Sequence, residues 1–273
     1  MKVWAISDLH LSGANPKPME KFGEQWKNHD EKISTAWLDM VGTDDLVVVA
    51  GDTSWAMKLQ EAIIDLEWLA QLPGSKILIK GNHDYWWSSL AKMQNIAPES
   101  IELIHNSAVR VNNVIVAGTR GWMLPVRSSA IYCASNDVDK SPYYERNCKN
   151  TRQSVSIHRR DESGEEVELG NWTQNDEKIL AREINRLTLS LEAAQKLSDP
   201  NCTLLIAMHY PPIYPDGTDS PFTKLIEQYG PKIVVYGHLH GAVPSEGFEG
   251  KRGSIHYYLV SADYIGFQPI QIL

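Results

Sequence analysis

The stretch Leu46-Val47-Val48-Val49-Ala50-Gly51-Asp52 decides the fold class. Five consecutive apolar residues, three of them valine, suit a short strand covered on both faces, as in a parallel sheet. The glycine then permits a sharp exit from the sheet and delivers a carboxylate at the strand's end. Runs of the same kind recur at residues 3–7, 76–80, 114–118, 203–208, 233–236 and 256–260. Helical spacings lie between several of them: Ile33, Trp37 and Met40; Ala62, Leu66 and Leu69; and Leu180, Ile184, Leu187, Leu191 and Ala194. Thr173 and Asp176 form the cap and first-turn acid of the last helix. The alternation predicts an α/β fold with a largely parallel or mixed sheet.

Composition narrows the class. The 273 residues carry 26 Lys+Arg against 34 Asp+Glu, a net charge of −8, and are 42% hydrophobic and 22% charged, an ordinary globular balance. Apolar runs of about five residues are too short for a membrane helix, and no signal-peptide pattern follows Met1. Three cysteines (Cys133, Cys148, Cys202) cannot all pair and match no zinc spacing, which suits a reducing cytoplasm. The acidic balance argues against duplex nucleic acid as a partner, yet leaves small anionic substrates open if a bound cation reverses the local field.

One segment, about residues 125–172, has no sustained apolar period. It reads as a polar insertion on a single domain spanning 1–273, since it has too few apolar residues for a core of its own. Residues 126–160 hold seven basic groups (Arg127, Lys140, Arg146, Lys149, Arg152, Arg159, Arg160) against three acidic ones, and residues 161–168 hold five acids. Asp161-Glu162-Ser163-Gly164 reads as a hairpin tip between residues 154–157 and 166–169.

Polar residues gather where the apolar runs stop: Asp8 and His10; Asp52; Asn82, His83 and Asp84; His209; His238 and His240. Five strands thus deliver Asp, Asn or His at their carboxyl ends, the edge where α/β sheets bind ligands. Carboxylate, amide and imidazole donors without cysteine suit divalent manganese, iron or zinc. Seven donors (Asp8, His10, Asp52, Asn82, His209, His238, His240) exceed the needs of one four-coordinate ion and fit two ions sharing a carboxylate. Two 2+ ions held against the two carboxylates would make a positive pocket for a phosphate ester inside an acidic protein.

The ordered series Asp8-x-His10, Gly51-Asp52, Gly81-Asn82-His83-Asp84, His209 and Gly237-His238-x-His240 resembles the calcineurin-like metallophosphoesterase superfamily. The stretches around residues 7–12, 51–57 and 81–87 look like its bacterial predicted phosphohydrolase branch. The resemblance implies two packed mixed β-sheets flanked by helices, and two divalent ions, manganese first and iron or zinc as alternatives. It implies that Asp8, His10, Asp52 and His240 hold one ion, and that Asp52 bridges to a second held with Asn82, His209 and His238. A metal-bridging hydroxide would attack the phosphorus of a phosphomonoester or phosphodiester, His83 would protonate the leaving oxygen, and Asp84 would orient His83.

Around this site, Asn82 and Arg120 are candidate substrate contacts, although Arg120 fits a surface salt bridge equally well. Tyr85, Trp86 and Trp87 read as core residues before a stacking platform. The runner-up function is a binding module that keeps the fold without the chemistry; the presence of His83 beside a full donor set weighs against it.

Overall fold

The computed structural model describes residues 1–125, 156–160, 166–241 and 247–273. Strands β1 (Val3–Ile6), β2 (Leu46–Val49), β3 (Ser75–Ile79) and β4 (Ile101–Ile104) run parallel, and β13 (Ile270–Gln271) closes the sheet antiparallel against β1. The second sheet is ordered β11-β12-β10-β9-β6-β5, from β5 (Ala108–Val111), β6 (Val114–Thr119), β9 (Thr203–Met208), β10 (Ile233–Tyr236), β11 (Gly250–Arg252) and β12 (Ile255–Leu259). Its four central strands are parallel and its two edge pairs antiparallel, so both sheets are mixed.

The alternation of side chains builds three apolar layers. Val3, Ala5, Leu46, Val48, Ile77 and Ile79 meet Val114, Val116, Leu205, Ala207, Ile233 and Val235 between the sheets. The intervening residues Trp4, Ile6, Val47, Val49 and Leu78 pack outward on α1 (His29–Met40) and α2 (Leu59–Gln71), with Met93 of the short α3 (Leu90–Gln94) in the same layer. Ile115, Ala117, Ile206, Met208, Val234 and Tyr236 do the same on α4 (Gln174–Leu197) and α5 (Pro221–Tyr229). Strands buried on both faces explain why their sequences read as unbroken apolar runs. The fold is therefore two mixed sheets packed face to face with helices outside.

The helix spacings land where expected, with one exception. Ile33 and Trp37 are buried in α1, whereas Met40, in its last turn, is exposed. Thr173 caps α4 by a reciprocal pair of bonds with Asp176. The shorter β4 and β5 carry no continuous apolar run and were not anticipated; β5 is only partly buried. A hairpin of β7 (Ser156–Arg160) and β8 (Glu166–Asn171) falls where the flanks of an insertion hairpin were read. Residues 126–155 and 161–165 of that insertion, with the expected tip and five of its seven basic groups, lie outside the described residues. Among the described residues no helix is long and apolar enough to cross a membrane.

Gly118 shows how closely the second sheet is packed: a Cβ there would overlap the Ala207 carbonyl on β9. Gly118→Ala is expected to destabilise the protein by about 3 kcal/mol, the upper part of the overpacking range, read from the urea midpoint at unchanged m.

Candidate active site

All five polar clusters converge at the carboxyl edge of the two sheets. The chain leaves β1 and β2 in step: Asp8 N–H donates to the Gly51 carbonyl (3.0 Å), His10 N–H to Asp52 O (3.0 Å) and Leu11 N–H to Thr53 O (3.0 Å). This pairing beyond the strands holds Asp8, His10 and Asp52 in the left-handed region, with φ of 57°, 48° and 53°; His238 has φ 72°. Such backbone is uncommon for residues with a Cβ and costs roughly 1–3 kcal/mol each, so the surrounding bonds must enforce it. Gly51 and Gly81 leave the space needed. A Cβ on Gly51 would sit 2.6 Å from His209 Nδ1, and one on Gly81 would overlap Asp52.

Two groups of side chains bring potential metal-ligand atoms within 4.8 Å of one another: Asp8, His10 and His240, and Asp8, Asp52 and His209. His10 Nε2 stands 4.0 Å from both Asp8 Oδ1 and Asp52 Oδ2, and His209 Nε2 is 3.3 Å from Asp52 Oδ2. Asn82 Oδ1 lies 2.7 Å from His209 Nε2 and 2.9 Å from His238 Nδ1. All seven donors predicted from the sequence are thus in one cluster. Asp8 Oδ1, both His10 nitrogens, Asp52 Oδ2 and His240 Nδ1 are buried without a hydrogen-bond partner. A buried polar atom left unpaired costs about 1–3 kcal/mol, and three of these, His10 Nε2 with Asp8 Oδ1 and Asp52 Oδ2 each 4.0 Å from it, are placed to share a cation. Hard oxygen and imidazole donors at this spacing fit divalent cations.

The electrostatics agree. Burial opposes the charge on Asp52, but His209 and then His10 outweigh it and hold the carboxyl far below its usual range. Burial likewise opposes protonation of His209, yet Asp52 and then Asp8 hold it up to about 9. These carboxylates therefore favour positive charge beside them. Burial drives His10 well below the ordinary imidazole value, leaving the neutral form that can ligate a metal.

Comparison with known proteins decides the family. The sequence pattern of the calcineurin-like phosphoesterases matches residues 1–242. The chain belongs to that family. Two phage proteins called Gene 66 protein match over 82 residues, 30% of this chain: that of Mycobacterium phage L5 at 36% identity and that of phage D29 at 38%. The match spans 39% and 40% of their lengths, well under half of either curated relative. Two solved structures are also similar. A protein of unknown function from Aquifex aeolicus covers 98% of this chain and 94% of its own, at 15% identity and TM-score 0.45. The phosphopantetheinyl hydrolase of Mycobacterium tuberculosis covers 95% and 88%, at 17% identity and TM-score 0.49.

Three features of the chain differ from the sequence reading. Asp84 makes no hydrogen bond to the His83 ring. Its oxygens accept the backbone N–H groups of Asp52 (2.9 Å), Thr53 (2.9 Å), Ser54 (3.1 Å) and Gly81 (2.7 Å) and the Trp86 indole (3.0 Å). It ties the β2 and β3 loops together instead. Burial, then Asp52, pushes its pKa up to about 6, against the pull of those N–H groups. His83 is placed by its own N–H on Asp52 Oδ1 (2.7 Å) and by ring contact with Trp55 (4.3 Å), while its Nδ1 has no partner. Arg120 makes the salt bridge that was its alternative reading, but a largely buried one: it is 16% exposed and pairs with the fully buried Glu183. Trp86 and Trp87 are core, as read, but Tyr85 is exposed.

The sequence reading gave no role to Trp26, Trp55 or Asp65. Trp55 stacks on His10 (4.8 Å, 23°) and Trp26 meets His10 and His240 edge-on. Asp65 accepts Gly13 N–H (2.8 Å) and the Ser54 hydroxyl, joining the β1 and β2 loops to α2. Its signal was legible: an acid falling within the buried helical stripe of Ala62, Leu66 and Leu69.

Proposed function

We propose that the protein is a two-metal phosphoesterase that hydrolyses a small phosphomonoester or phosphodiester. The observation that carries this reading is the pair of overlapping donor groups, sharing Asp8, whose members include buried and unpaired oxygens and nitrogens. Asp8, His10, Asp52 and His240 would hold one divalent ion, and Asp52, Asn82, His209 and His238 the second, with manganese the first choice. Bound there, the ions supply a nucleophilic water at neutral pH and neutralise charge on the phosphate oxygens. The protein's own part is positional. Asp84 and Asp65 fix the loops that aim the donors. Trp26 and Trp55 exclude water from His10. His83, half-buried at the rim of the cluster, gives its proton to the leaving oxygen.

Hydrolysis of p-nitrophenyl phosphate and of its bis ester tests this directly. Turnover of one or both is expected to need Mn²⁺ and to fall by at least about 10²-fold in EDTA, the loss of several kcal/mol of charge stabilisation. Turnover of neither ester by metal-loaded protein would favour the binding module.

A further inference from the structure

A second charged cluster lies next to the ligand set and has no part in it. Glu183, on α4, is fully buried, and three guanidinium groups converge on its single oxygen Oε1: Arg186 at 2.6 Å, Arg120 at 3.4 Å and Arg182 at 3.8 Å. Its other oxygen accepts the Thr119 hydroxyl at 2.8 Å. One guanidinium neutralises one carboxylate. Among the described residues Glu183 is the common acidic partner of all three, which leaves two positive charges in surplus. Arg182 is 53% exposed and its charge is screened by water, but Arg120 and Arg186 are only 16% and 27% exposed, so the one charge they hold beyond Glu183 is screened poorly, and Arg120 Nε is buried without an acceptor. Such an arrangement is unfavourable by itself and becomes favourable when an anion enters.

The cluster borders the active site through two elements. The Arg120 carbonyl accepts the N–H groups of His209 (3.1 Å) and Tyr210 (2.9 Å). A wall of rings runs from the Arg120 guanidinium over Trp122 (4.9 Å) to Tyr210 (5.4 Å) and on to His238 (4.1 Å).

We propose that Arg120 and Arg186 form a second anion subsite, which takes a phosphate or similar oxyanion group carried elsewhere on the substrate. This rests on the phosphoesterase reading and narrows it: the substrate is a compound with two anionic groups, one hydrolysed and one held. Glu183 is a positioning residue that fans the guanidinium groups, whose planar donors suit an oxyanion held bidentately.

Calorimetric titration of the manganese-loaded full chain with propane-1,3-bisphosphonate and with propylphosphonate, neither of which is hydrolysed, tests the subsite. The bisphosphonate is expected to bind about 10-fold tighter or better, the worth of one charge-assisted pair. Arg186→Gln is expected to erase most of that preference, and Arg186→Lys to retain part of it. Arg120→Gln, at the end of β6 and not on α4, is expected to reduce it too and guards against a folding defect in the first variant. No preference, or a preference equal in both Gln variants and the parent, overturns the subsite. Inorganic phosphate binding as tightly as the bisphosphonate, and equally dependent on Arg186, overturns the assignment to a substrate group. Turnover of p-nitrophenyl phosphate or its bis ester by the same preparation reports the parent reading separately, so the two can fail independently.

Discussion

His83→Gln is expected to lower kcat by about 10²–10⁴-fold while metal content stays at the parental value. The His83 ring is outside both groups of converging donors, and its backbone N–H, which the substitution preserves, makes the bond to Asp52. Glutamine fills much of the space against Trp55 without supplying a titratable proton. The dependence on leaving group separates lost acid catalysis from a disturbed site. Phenyl phosphate, whose leaving oxygen is more basic, needs the proton more than p-nitrophenyl phosphate does, so its rate falls further. The basic limb of the kcat/KM profile, where the acid loses its proton, disappears in the variant. An equal loss for both esters with the pH profile unchanged would remove His83 from the role of acid.

Asp84→Asn is expected to cost about 3–5 kcal/mol of stability and to weaken metal binding, although Asp84 ligates nothing. Its carboxylate receives five N–H donors from two loops and one indole. An amide offers one acceptor oxygen and turns its NH₂ towards groups that also donate, so at least one oxygen's partners are orphaned in a dry interior. The segment 51–54, which aims Asp52, is the first to shift. Urea unfolding reports the stability loss, and metal analysis after dialysis reports the second effect. An unchanged midpoint with full metal content would show that the N–H cluster is not what holds these loops.

The fold was legible where strands are buried on both faces. Residues 46–49, 203–208 and 233–236 announce themselves because both of their faces meet apolar layers. β4 and β5 escape the eye because they are short, and β5 carries Arg110 on an exposed face. The seven donors were legible because each stands immediately after such a run, where a strand's end fixes its position. What Asp84 and Glu183 do was hidden. Their partners come from about 30 and 60 residues away, and only the packing of α4 on β6 and of the β2 loop on the β3 loop brings them into reach. Sequence order also suggested that neighbours His83 and Asp84 act as a pair, whereas the backbone turns their side chains to opposite tasks.

The central claim, two divalent ions held by one cluster, is tested most directly by counting them. Elemental analysis by mass spectrometry of the full chain purified from manganese-supplemented cells is to be run beside Asp52→Asn, which alters the carboxylate proposed to serve both ions. The account predicts two equivalents of metal per chain, falling to one or fewer in the variant. A chain that carries no metal, or whose metal content Asp52→Asn leaves unchanged, contradicts it.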